Sequence, residues 1–207
     1  MLRLGGREFG EREPVVMAVT AGDAGAVARA VAQGAAIVEL DGPAALPAVR
    51  AAHPGLVVAV RAADPVAAEA ACAAGADLLG GPAGGADPAF ARIAARYGAG
   101  VVCAPQALEA ALAAGVRADG VLLDGGAGGS REAVRGTAAL AATGHAVLVG
   151  LADGELAGPA VATAAVTAWL GARVFRVRDV TVARQVLDMV ASIAGHRPPA
   201  VTLRGMG

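Results

Sequence analysis

The residues of this chain that could do chemistry close short apolar runs. Glu39 and Asp41 lie in AIVELD, Arg61 ends LVVAVR, Asp124 ends GVLLD, and Arg176 and Arg178 lie in RVFRVR. Glu39 with Asp41, and Arg176 with Arg178, stand two residues apart, which puts their side chains on one face of an extended chain. A carboxylate such as Asp124 can accept two parallel N–H bonds from an amidine-like edge, and paired guanidiniums can bind an oxyanion. The same groups can also satisfy one another as salt bridges, and residue types alone leave both readings open. After Asp124 the segment GGAGGS precedes a helical stretch. Gly126 and Gly128 could therefore belong to a backbone nest for an anion or to a plain connection. No Walker lysine accompanies them, because all 17 basic residues are arginine.

The remaining reactive side chains point away from chemistry. His53, His145 and His196 lack metal-ligand spacing, and no metal is expected from them. Cys72 and Cys103 form no CxxC motif and read as buried, reduced thiols.

The elements that position these groups repeat. Strands are expected near 15–20, 36–41, 56–61, 77–80, 100–103, 120–124, 146–150 and 173–178. Alanine-rich helices are expected between and after them, at about 23–33, 43–52, 64–74, 87–97, 105–114, 130–143, 159–170 and 181–194. Asp64-Pro65 and Asp87-Pro88 look like helix starts, with the acid as cap and proline at the first position. Gly34, Gly75, Gly98, Gly115, Gly144 and Gly171 look like helix stops. A strand–helix unit repeated eight times is the pattern of a parallel α/β fold, here a single (β/α)8 TIM-type barrel. An open doubly wound sheet is the competing arrangement. In a barrel the chemistry gathers on the loops after the strands. Thr20, Glu39, Asp41, Arg61, Gly80, Gly81, Cys103, Asp124, Asp153, Glu155, Arg176, Arg178 and Asp179 would then share one mouth.

Composition narrows the partners. The 207 residues suit one domain, with the barrel over 1–194 and a Pro-Pro-containing tail over 195–207. Mean hydropathy is +0.58, but charges, glycine and proline break every apolar run before it reaches membrane-spanning length. The start, MLRLGGREFGEREP, is too polar for a secretory signal, so a soluble cytoplasmic protein is expected. The net charge is −1, the arginines are scattered, and only five aromatic residues are present. Neither a nucleic-acid partner nor a membrane partner is expected.

Three segments carry a family resemblance. VLLDGGAGGSRE at the sixth strand, AVLVGLADGELAG at the seventh and GARVFRVRDVTVARQVLDMVASI at the eighth resemble dihydropteroate synthase. The likeness extends upstream through VAAEAACAAGADLLGGPAGGADPAFARIAARYGAGVV and through GREFGEREPVVMAVT, which resembles that family's N-terminal hairpin and first strand. It spans about residues 2–194. The resemblance implies a transferase that joins a pterin pyrophosphate to p-aminobenzoate in folate biosynthesis. It implies that Asp124 grips the pterin ring, that Arg176 lies near the pterin and pyrophosphate, and that Gly126, Gly128 and Gly150 match loop and strand glycines.

Other positions depart from the family pattern. Ala18 replaces an asparagine that helps hold magnesium, so the magnesium expected of the family is not expected here. Arg61 stands in place of an aspartate and Gly80 in place of an asparagine. Gly154 replaces a lysine, Arg178 a histidine and Gly129 a phenylalanine. The loops after the first two strands are short. Each missing polar partner in a buried site costs about 1–3 kcal/mol, so three such losses remove useful affinity.

Two functions follow from this reading. One is a dihydropteroate synthase-like protein whose synthase activity is reduced or lost, a pseudoenzyme. The other is a non-catalytic barrel that binds a small anionic or pterin-like ligand, or serves as a partner subunit. The resemblance also implies a homodimer through the last two helices, whose Val161, Val166, Trp169, Leu170, Val186, Leu187, Met189 and Val190 are enough for the barrel alone or for a dimer, the pattern not choosing between them. At the mouth Arg61, carrying the opposite charge to the family's residue, is expected to pair with Asp124.

Overall fold

The structure, a computed structural model, describes residues 1–82, 88–128, 131–151 and 158–198. It begins with two short strands, β1 (Leu2–Leu4) and β2 (Arg7–Phe9). Eight longer-range strands follow: β3 (Val15–Thr20), β4 (Ile37–Asp41), β5 (Val57–Arg61), β6 (Leu78–Gly80), β7 (Gly100–Cys103), β8 (Val121–Gly128), β9 (Ala146–Leu151) and β10 (Val174–Val177). These eight are parallel and close a barrel in the order β10-β3-β4-β5-β6-β7-β8-β9. The open-sheet alternative is thereby excluded. The helices are α1 (Ala24–Ala32), α2 (Leu46–Ala52), α3 (Pro65–Ala73), α4 (Pro88–Tyr97), α5 (Leu108–Ala113), α6 (Arg131–Ala141), α7 (Pro159–Trp169) and α8 (Val180–Ile193).

Local chemistry sets the helix ends. Asp64 caps α3 by accepting from the Ala67 backbone N–H at 2.8 Å, and Pro65 occupies the first turn. Asp179 does the same for α8 through the Val182 N–H at 3.0 Å. The six glycines expected to stop helices all have positive φ. Asp87, the other expected cap, lies outside the described residues.

Alternation along each strand divides the core in two. Val16, Val38, Val58, Leu79 and Phe175 face the helices, in a layer with Val27, Leu46, Ala94 and Leu187. Met17, Ile37, Val57, Leu78, Leu122, Leu148 and Val174 fill the barrel. Three more side chains join that inner cluster from outside the barrel: Leu2, Leu4 and Phe9. They come from the antiparallel hairpin of β1 and β2, turned by Gly5 and Gly6 with φ of 54° and 79°. Two successive positive φ values suit a two-residue hairpin turn, and glycine adopts them without strain. Leu4 sits where a Cβ on Gly100 would approach its Cδ2 to 2.5 Å, so the first residue of β7 has no room for a side chain. Arg173 holds the end of the hairpin by donating to the Phe9 carbonyl at 3.2 Å. The hairpin thus plugs the N-terminal end of the barrel.

Candidate functional site

The opposite end is polar because the inward-facing series on several strands ends in charge. On β4 the series runs Ile37, Glu39, Asp41; on β5 it runs Val57, Ala59, Arg61; on β10 it runs Val174, Arg176. Asp124 continues the Leu122 series on β8. Asp124, Arg61 and Arg176 therefore lie at the C-terminal ends of their strands, as the repeat predicts. The loops after β3 and β4 are short, since α1 begins at Ala24 and α2 at Leu46.

The pairing of the charges differs from expectation. Arg61 pairs with Asp41, its Nε donating to Oδ1 at 2.9 Å; no ion pair joins it to Asp124 among the described residues. Strand register explains this, because Asp41 and Arg61 are direct partners across β4 and β5. Asp124 lies three strands away around the barrel and turns back on its own chain, where Oδ1 accepts from the Gly126 N–H at 2.8 Å. Gly126 has a φ of 89°, which lets the backbone fold toward that carboxylate. A Cβ on Gly125 would come within 3.0 Å of the Leu148 carbonyl oxygen, so that position is also restricted.

The stretch expected to be a loop from Gly125 onward is strand as far as Gly128. It carries an irregularity between Asp124 and Ala127, then pairs with Gly150 and Leu151 of β9. Residues 129–130, Asp153, Gly154 and Glu155 lie outside the described residues. Arg178 is exposed just beyond β10, and Thr20 accepts from the Gly22 N–H at 3.3 Å.

The most buried charge at the mouth is Glu39, whose side chain is only 2% exposed. It stands between β3 and β5 and meets Arg176 from the far side of β3, Oε1 to Nη2, at 2.9 Å. Burial raises the affinity of this carboxyl for its proton. Arg176, and then Arg61, pull it back toward the ionised form without cancelling the effect. Gly80, on the strand beyond β5, presents no side chain here; a Cβ would find Glu39 Oε1 as its nearest neighbour, at 3.9 Å. Cys103 is buried, and its thiol is pushed up to about 11 by burial, with Asp124 adding to the effect. Cys72, buried on α3, is likewise held at about 11 by burial. Neither thiol is a nucleophile near neutral pH.

The alternating acids of IVELD place Glu39 on the inward face. An acid inside an otherwise apolar run is the signal that it has a buried partner. Which arginine pairs with it depends on barrel stagger, which the sequence does not display.

A closed (β/α)8 barrel plugged at its base, with arginine–carboxylate pairs across its mouth, defines the architectural class. Comparison with known proteins then fixes the family. A Mycobacterium bovis protein named inactive dihydropteroate synthase 2 is 33% identical over an alignment of 248 positions, covering 87% of this chain and 78% of the relative. The alignment is longer than the chain because the relative carries segments absent here. The solved structure of Mycobacterium tuberculosis Rv1207 superposes with a TM-score of 0.86 at 35% identity, covering 96% of this chain and all of that one. Dihydropteroate synthase from Thermus thermophilus superposes with a TM-score of 0.79 at 26% identity, covering 94% and 99%. No family model matches the chain. The chain belongs to the dihydropteroate synthase family.

The family resemblance implies a magnesium ligand at the Ala18 position. Ala18 offers only a methyl group, 1% exposed, and packs in the layer between strands and helices. It cannot ligate a metal. Among the described residues no group of three His, Cys, Asp or Glu side chains could hold one. No helix among them is long and apolar enough to cross a membrane.

Proposed function

We propose that this chain is a dihydropteroate synthase-like protein of the folate and pterin pathway that has lost the synthase reaction. The observation that carries the reading is the state of the mouth. Arg176, the residue expected beside pterin and pyrophosphate, is engaged by Glu39, and Arg61 is engaged by Asp41. Gly80 supplies no polar side-chain atom, and the Ala18 side chain supplies no ligand. A ligand edge left unpaired in a buried site costs about 1–3 kcal/mol per group, and Gly80 and the two engaged arginines each leave one. The inactive designation of the M. bovis relative points the same way. Asp124, with Gly126 and Gly128 beyond it, is the remaining candidate for contact with a pterin-like ring. The reading places the protein in the cytoplasm, in keeping with its free cysteines.

The reading also includes a second copy packed against α7 and α8. Val166, Trp169, Met189 and Ile193 are 45–67% exposed there, whereas Leu187 and Val190 are buried within the subunit. Introduction of the gene into a strain lacking its own synthase tests the functional claim. The strain should still require folate products; growth without them would refute the reading.

A further inference from the structure

The Arg176–Glu39 pair is incomplete in an informative way. Only one oxygen meets one nitrogen, although an arginine and a carboxylate can make two parallel bonds. Glu39 Oε2 and Arg176 Nε are both buried and have no hydrogen-bond partner among the described residues. Glu39 is enclosed, with a side chain 2% exposed, whereas that of Arg176 is 22% exposed. The guanidinium can therefore be approached from the mouth, while the carboxylate has no route to water. An oxyanion arriving at Arg176 meets a fixed negative charge already in contact with it. Displacing that charge would leave a buried carboxylate without its counter-ion, a strongly unfavourable state.

We infer that Glu39 acts as a resident anion that occupies Arg176 and excludes phosphate-class oxyanions from the barrel mouth. It is a specificity-determining residue whose effect is repulsive: the carboxylate neutralises the guanidinium and repels a second anion at short range in a poorly hydrated site. This goes beyond the loss of synthase activity and can fail separately from it. The missing polar side chain at Gly80 would weaken substrate binding even in a mouth that admitted pyrophosphate. Conversely, a mouth closed to anions says nothing about turnover of some other substrate.

Inorganic pyrophosphate is the probe. It is titrated by calorimetry near neutral pH into the wild type, Glu39→Gln, and the double variant Glu39→Gln/Arg176→Met, with circular dichroism confirming the fold of each. The wild type should show no saturable binding. Glu39→Gln should bind at least about tenfold more tightly than any wild-type signal, and the double variant should lose that gain. Equal binding by wild type and Glu39→Gln overturns the inference, as does a folded Glu39→Gln that gains no site. If Glu39→Gln does not fold, Glu39→Met takes its place with the same expectations. If neither folds, the wild-type titration decides: saturable binding overturns the inference, and its absence supports it.

Discussion

At the base of the barrel, Leu2, Leu4 and Phe9 insert an apolar hairpin into a ring of aliphatic strand residues, all essentially free of solvent contact. At the mouth, the same inward positions two to four residues further along each strand carry Glu39, Asp41, Arg61, Asp124 and Arg176. The base excludes water by packing. The mouth contains its charges by pairing them, and it does so at two depths. Arg61–Asp41 lies at the rim, with side chains 41% and 60% exposed, whereas Arg176–Glu39 lies inside. The difference teaches where stability resides in this chain and where function has been given up. Packing at the base is indifferent to ligand, but every arginine paired with a carboxylate at the mouth is one fewer donor for a substrate.

Perturbations of the two ends should separate them. Phe9→Ala is expected to have the largest effect, about 3–5 kcal/mol of lost stability, because it removes a fully buried aromatic ring from the plug. Chemical denaturation measures it, and a loss below about 1 kcal/mol would mean that the hairpin does not close the barrel. Arg176→Ala should follow, at about 3 kcal/mol, the low end for breaking a buried pair because the arginine is partly exposed. An unchanged midpoint would contradict the burial of Glu39.

The next effect is a pH dependence. The folded chain holds the Glu39 proton more tightly than the unfolded chain does, owing to burial. Stability from this group is therefore full below the ordinary value of 4.5 and declines as pH rises through the raised folded-state value. In Glu39→Gln that falling segment of the stability curve should flatten, and an unaltered slope would assign it to other groups. Arg61→Ala should have the smallest effect, under about 1 kcal/mol, because the rim pair is exposed and screened by solvent. A loss as large as that of Arg176→Ala would erase the distinction between the two depths.

The strand–helix rhythm made the barrel legible, and the helix-stopping glycines and the Asp64-Pro65 start were legible residue by residue. Alternation in IVELD and RVFRVR put Glu39 with Asp41, and Arg176 with Arg178, on one face of strands that end at the mouth. The partners of the charges were not legible. Asp41 and Arg61 meet because neighbouring strands bring them level, a matter of register that local sequence does not encode. Asp124 escaped the expected pair for a local reason, since the two glycines after it let the backbone return an N–H to its carboxylate. The stretch from Gly125 onward reads as a loop, yet beyond the irregularity β9 pairs with Ala127 and Gly128, so β8 runs on to Gly128. Ala18 was matched by family resemblance to a magnesium-holding asparagine, and its methyl packs outward in the helix-facing layer.

The central claim is that the family's reaction is gone while its barrel persists. The most direct measurement is a synthase assay on the purified, folded protein, supplied with pterin pyrophosphate, p-aminobenzoate and magnesium, with product separated by chromatography. The account predicts no dihydropteroate above the enzyme-free background across the magnesium range. Product formation above that background, abolished by Asp124→Asn in a protein that remains folded, would contradict it.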